Sequence, residues 1–205
     1  MNENHARLCQ SPEWADYLQT AVLPALASGT DLGDDLLEIG PGPGAATGWL
    51  AHRVRRLTAV EVDEDAALRL AARHRGGNVT VLAGDATGLG FPDGSFDSVG
   101  TFTMLHHIPA RAQQDRVLAE AFRVLRPGGV LIGSDSLASN DLHHFHVDDT
   151  YCPVDPAWLL SRLSDLGFGK ITVTVDGVLM FAAHKPAAEA AEAAEAAQRA
   201  DPCDA

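Results

Sequence analysis

The chain has 205 residues, 46% hydrophobic and 21% charged, with a formal net charge of −13 and a pI near 4.9. That size and balance suit one globular domain with a single sizeable core. The acidity argues against a nucleic-acid partner, because phosphate backbones are held by clustered Lys and Arg, and only 15 are spread along this chain. Cys9, Cys152 and Cys203 form neither a CxxC pair nor a disulfide framework. No run approaches the ~20 apolar residues of a membrane span, and the opening MNENHARLCQSPEW lacks the layout of a signal peptide. A cytoplasmic protein with no membrane partner is expected, acting on a small molecule or on a neutral or basic protein.

In chain order, Ser11-Pro12-Glu13 is a helix start: a hydroxyl cap, a proline at the first helical position and an acid in the first turn. Trp14, Leu18, Val22 and Leu26 follow at helical spacing, and Gly29 is a stop. LLEI (36–39) reads as a strand and 45–54 as a helix opened by a glycine loop. LTAVEV (57–62) is strand-like, and DEDAALRLAARH (63–74) is an acid-capped helix. VTVLAG (79–84) and FDSVGTFTML (96–105) read as strands, and 110–125 as an amphipathic helix ending at Arg126-Pro127-Gly128-Gly129. VLIGSDS (130–136) is a fifth strand. ITVTV (171–175) and VLMFAAH (178–184) flank Asp176-Gly177, a strong hairpin signal.

Such alternation predicts an α/β, doubly wound, mostly parallel seven-stranded sheet with an antiparallel C-terminal hairpin. The expected organisation is an N-terminal helical cap (1–33), a main domain (34–185) and a low-complexity Ala/Glu tail (186–205). The tail holds five acids and one arginine, contributing −4, so the chain stays acidic without it.

The most informative segment is Leu36-Leu37-Glu38-Ile39-Gly40-Pro41-Gly42-Pro43-Gly44. A strand runs into three alternate glycines, which let the backbone turn tightly and approach a ligand. Glycines alone would also suit a nicotinamide or flavin binder. However, Glu38 stands where dinucleotide binders carry an aliphatic residue, and the spacing is GxGxG rather than GxGxxG. A carboxylate there suits the ammonium end of methionine. Glu61 ends the second strand, where an acid can accept both hydroxyls of a ribose, and Val62 would then lie against an adenine face.

With Glu38 and GxGxG, residues 34–136 resemble the class I S-adenosylmethionine-dependent methyltransferases, of a Rossmann-like fold. The resemblance implies S-adenosylmethionine as cofactor and methyl transfer as activity. It also implies that Glu38, Gly40, Pro41, Gly42 and Gly44 bind the cofactor, Glu38 at its ammonium end. Asp85 and Ala86 match the positions that receive the adenine amine and a ring nitrogen, and the main chain at Thr101 matches the border of the methionine part. Phe91-Pro92-Asp93-Gly94-Ser95-Phe96-Asp97 and Leu125-Arg126-Pro127-Gly128-Gly129 resemble further family stretches. A nucleotide-dependent oxidoreductase and a non-catalytic cofactor-binding sensor are the rival readings.

Acceptor chemistry is less marked. His106 or His107, closing strand four, can accept a proton near physiological pH. The insert Asp141-Leu142-His143-His144-Phe145-His146-Val147-Asp148-Asp149-Thr150-Tyr151 follows strand five, where this fold hosts its ligand crevice. If it is extended, His144 and His146 share a face, with Asp148 or Asp149 near enough to orient one. An acceptor lid, a metal site and a polar surface loop are the readings it allows. His146, His107 and Asp149 are taken as the catalytic candidates. No metal is assigned, since no ligand spacing is diagnostic. His5 and Cys9 would join this site if their segment folds over it.

Overall fold

The computed structural model describes residues 7–188. His5, Cys203 and most of the Ala/Glu tail lie outside the described residues. Seven strands form one sheet in the order β3-β2-β1-β4-β5-β7-β6. They are β1 (Asp35–Ile39), β2 (Arg56–Glu61), β3 (Val79–Ala83), β4 (Phe96–Phe102), β5 (Leu125–Asp135), β6 (Gly169–Asp176) and β7 (Val178–His184). The pairs among β1 to β5 are parallel, whereas β7 runs antiparallel between β5 and β6. The expected architecture is therefore observed, including the hairpin turning at Gly177 with φ of 70°.

Side-chain alternation distributes the core over two faces. Leu37, Ile39, Val99, Leu131 and Phe181 pack on one face against α5 (Arg111–Val124) and α7 (Pro156–Asp165). Leu36, Leu57 and Ile132 pack on the other, against Leu18, Leu23 and Leu50. These belong to α1 (Pro12–Tyr17) with its π-helical continuation (Leu18–Val22) into α2 (Leu23–Ala27), and to α3 (Thr47–Ala51). Covering both faces explains why β1 is buried without a break from Leu36 to Ile39, as parallel strands are. The fourth helix, α4 (Glu64–Arg73), starts at Asp63, whose side chain accepts from the Ala66 N–H.

Three local expectations are corrected. The fifth strand begins at Leu125, five residues early. Its Arg126–Gly129 stretch bulges out of register, since Phe96 pairs with Leu125 but Ser98 with Val130. The bulge lets Arg126 reach Asp97 at 2.5 Å and Asp35 at 3.2 Å. The helix after the glycine turn spans only Thr47–Ala51. The insert is not extended at His144: Asn140–Phe145 form a short helix, α6, capped by Ser139 accepting from the Leu142 N–H. His143 and His144 stay on its surface while His146, just past its end, is buried. Helix α7, to which sequence patterning assigned nothing, starts at Asp155-Pro156 with the Asp155 side chain accepting from the Ala157 N–H.

Gly133 faces Phe181 across the β5–β7 pair. A Cβ at this position would lie 2.2 Å from the Phe181 Cζ. Gly133→Ala is therefore expected to destabilise the fold by ~1–3 kcal/mol through overpacking, read as a lower urea midpoint. An unchanged midpoint would mean that Phe181 can leave this seat at no cost.

Candidate active site

The strand order reverses between β1 and β4, and ligands in open α/β sheets bind in the crevice beyond such a switch point. A cavity of about 390 Å³ lies there, within the ~300–1,000 Å³ typical of small-ligand sites. Its floor is the turn after β1, where Gly40, Gly42 and Gly44 have φ of 64°, 52° and 81°. A Cβ on Gly44 would lie 2.4 Å from Leu70 Cδ1, whereas one on Gly42 would meet nothing within 4 Å. Gly44 thus lets α4 pack against the turn, and Gly42 keeps the main chain bare toward the cavity.

Glu38 lines this cavity although only 2% exposed. Its Oε2 has no hydrogen-bond partner among the described residues. Burial pushes its carboxyl up to about 7; the Thr47 hydroxyl opposes the rise and the Glu61 charge adds to it. Such a group lacks a cation. Glu61, at the end of β2, accepts from the Gly42 N–H at 2.8 Å and the Asp63 N–H at 3.1 Å. A carboxylate offers about four lone-pair sites, so this acid braces the turn with acceptor capacity remaining. Beside it, Val62 is 74% exposed, an apolar side chain open to the cavity. The two accepting carboxylates and the bare turn fit an aminoacyl-nucleoside ligand such as S-adenosylmethionine.

The opposite wall is built by the chain after β4. Thr103 has φ of 51°, costly for a β-branched residue. It is anchored by its N–H donating to the Ser134 carbonyl at 2.7 Å. A 3₁₀ turn (Leu105–His107) follows. His107 lines the cavity together with Met104, Ile108 and Asp149. His106 turns inward, its Nδ1 2.5 Å from Asp135 Oδ1 at the end of β5. His146 donates its Nδ1 proton to the Leu142 carbonyl at 2.6 Å and stacks on Tyr151 at 4.3 Å. Buried Gln114 on α5 fastens the two segments, donating to the Leu105 and Cys152 carbonyls at 2.9 and 2.8 Å. Cys9 also borders the cavity. Burial first, then the Asp149 charge, pushes its thiol up to about 11, so it stays protonated and is no nucleophile at neutral pH.

Residues 37–133 match the family model described as a methyltransferase domain. Over that stretch the chain is similar to methyltransferases. It is 36% identical over 102 residues to a probable S-adenosylmethionine-dependent methyltransferase of Mycolicibacterium smegmatis, covering 50% of this chain and 38% of that protein. It is 33% identical over 112 residues to a fatty-acid O-methyltransferase of the same organism, covering 54% and 40%. The chain thus spans about two fifths of the length of these curated relatives. The fold is shared with a SAM-dependent methyltransferase from Methanosarcina mazei, with a TM-score of 0.64 at 22% identity, covering 80% of this chain and 98% of that one.

Of the residues that the methyltransferase resemblance singles out, Glu38, Gly40, Pro41, Gly42, Glu61, Val62 and Ala86 line the cavity, as do His107 and Asp149. Gly44 packs behind the turn, and Thr101 is buried beneath the lining residues Phe102 and Thr103. Asp85 is exposed beside the lining, between Gly84 and Ala86. Its carboxyl is held below the usual range by hydrogen bonds from Thr87, the main-chain one first. His146 is not among the lining residues. Sequence reasoning missed Trp14, Leu18 and Met104 as lining residues and Asp135 as the partner of His106. The first two come from an N-terminal helix tied to the turn by Gln19 Nε2 donating to the Ala45 carbonyl at 2.8 Å. A signal for Asp135 existed, because pairing β4 with β5 in register sets the end of one beside the turn that follows the other.

Proposed function

We propose that the chain is an S-adenosylmethionine-dependent methyltransferase acting on a small-molecule acceptor. The observation that carries this reading is Glu38, a buried carboxylate whose Oε2 has no hydrogen-bond partner among the described residues, at the mouth of a glycine turn. When bound, the cofactor supplies an electrophilic methyl group on a sulfonium. Glu38 holds its ammonium, Glu61 accepts the ribose hydroxyls, and Val62 covers an adenine face. Asp85 and Ala86 would meet the adenine edge, the Asp85 carboxyl exchanging its contact with Thr87 for one with the base. The turn from Gly40 to Gly44 and the main chain at Thr101 border the methionine part. The apolar lining by Trp14, Leu18, Phe102 and Ile108 excludes water and suits an acceptor with an apolar body. A relative named for fatty-acid methylation and the net charge of −13 support a small, non-nucleic-acid acceptor.

The acceptor's proton leaves through the wall formed by His107 and Asp149, with His146 behind it. His107→Ala is expected to lower kcat ~100-fold or more with cofactor affinity unchanged. An unaltered kcat would move the proton acceptor elsewhere.

Calorimetry tests the assignment. S-adenosylmethionine and its demethylated product are expected to bind, and NAD(H) is not. Binding of NAD(H) alone would overturn the reading. Demethylated product formed with a panel of fatty acids, phenols and amines identifies the acceptor class. Cofactor binding without turnover on any such panel supports a sensor instead.

A further inference from the structure

Three imidazoles from two segments converge beside the cavity. His106 and His107 come from the turn after β4, and His146 from the end of α6. One nitrogen of each lies within 4.8 Å of those of the other two. The ring centroids are 4.1 Å apart for His106–His107, 5.3 Å for His106–His146 and 5.7 Å for His107–His146.

The outer contacts of two rings decide which nitrogen carries the proton. A carboxylate and a carbonyl can only accept, so Asp135 and Leu142 each fix an Nδ1–H. In the neutral rings this leaves Nε2 of His106 and of His146 as lone-pair donors, both shielded from solvent. Asp135 itself is fully buried and further oriented by the Ser136 N–H at 2.7 Å. A histidine backed by a carboxylate on its outer nitrogen is the arrangement that sets ligand tautomer and basicity in metal sites.

We infer that His106, His107 and His146 bind one divalent transition-metal ion, with Asp135 as the supporting acid of His106. Three imidazoles without thiolate or clustered carboxylates suit zinc, iron, nickel or copper, and not magnesium or calcium. Zinc–nitrogen bonds of ~2.0–2.1 Å bring tetrahedral ligand nitrogens to about 3.3 Å of each other, so the rings rotate inward on binding. Three protein ligands leave a coordination position open. With His107 on the cavity wall, that position is available to a hydroxyl, thiol or amine of the acceptor. The inference deepens the proposed function, since a metal there lowers the acceptor's pKa in place of proton acceptance by the His107 imidazole. Sequence spacing did not suggest this set, because its members lie on two loops that only the folded chain brings together.

The experiment uses the full chain, stripped with a chelator and then titrated with Zn²⁺ in a calorimeter and with Co²⁺ in a visible spectrometer. One ion per chain is expected, with a ligand-field spectrum of nitrogen coordination for Co²⁺. His106→Ala and His146→Ala are expected to abolish the Co²⁺ spectrum. Asp135→Asn keeps all three ligands and is expected to weaken affinity ~10–100-fold. Replacing His143 and His144 with alanine, both on the surface of α6, is expected to change nothing. S-adenosylhomocysteine binding serves as the fold control for each variant. No uptake of either ion by the folded parent, or full uptake by a folded His146→Ala variant, overturns the metal site. Metal uptake without any cofactor binding by the parent would sustain the site and overturn the methyltransferase reading, so the two fail separately.

Discussion

Glu38→Gln is expected to abolish measurable S-adenosylmethionine binding and, at pH 8, to raise the melting temperature of the ligand-free protein. These opposite signs follow from one cause. Burial lifts the Glu38 carboxyl from 4.5 to about 7, with the Thr47 hydroxyl opposing and the Glu61 charge reinforcing the rise. An acid whose folded pKa is raised keeps its proton in the fold after the unfolded chain has lost it. Between about pH 4.5 and about 7 the folded state therefore binds more protons, and its stability falls as pH rises. Above that window the full cost of the buried charge, about 3 kcal/mol at ~1.36 kcal/mol per pKa unit, weighs on the empty protein. A glutamine carries no charge and relieves most of that cost. It also offers a buried ammonium only a neutral acceptor and no opposite charge, and a buried charge without its counter-charge is strongly unfavourable. For the parent, cofactor affinity is expected to fall ~10-fold per pH unit below about 7 as Glu38 takes up its proton. Melting curves and calorimetry at pH 6, 7 and 8 check both halves. A variant that melts lower than the parent at pH 8 and still binds cofactor would show that Glu38 serves the fold and not the ligand.

Glu61→Ala is expected to weaken cofactor binding ~10–100-fold, the equivalent of ~1.5–3 kcal/mol of charge-assisted hydrogen bonding. Two losses combine. The ribose hydroxyls lose their acceptor, and the Gly42 N–H loses the carboxylate oxygen 2.8 Å away that holds the turn in place. Glu61→Gln keeps an acceptor for Gly42 and should recover part of the affinity, separating the two. Because the Glu61 charge raises the Glu38 carboxyl, either variant should also move the pH midpoint of cofactor binding downward. S-adenosylhomocysteine titrations across pH measure both effects. Parental affinity with an unmoved midpoint would reduce Glu61 to a brace for the loop.

Much of this was legible along the chain. Strand–helix alternation, the Asp176-Gly177 turn and the buried β1 reveal the elements of the sheet through patterns only a few residues long. Glu38, Gly42 and Glu61 were readable for the same reason, since each sits at a fixed offset from the end of a strand that its own pattern reveals. The short helix in the insert was not legible because Asn140–Phe145 carries no apolar repeat, and it starts at the Ser139 cap. The histidine cluster was out of reach of local pattern altogether. His106 meets Asp135, 29 residues on, because β4 and β5 run parallel and end side by side. His146 joins them because Gln114 ties the two loops, and Trp14 and Leu18 reach the cavity because a helix far from the glycine turn folds over it. Residue types and offsets declare what a strand end can bind. Which distant loops share that space is decided by sheet order, register and the packing of helices across it.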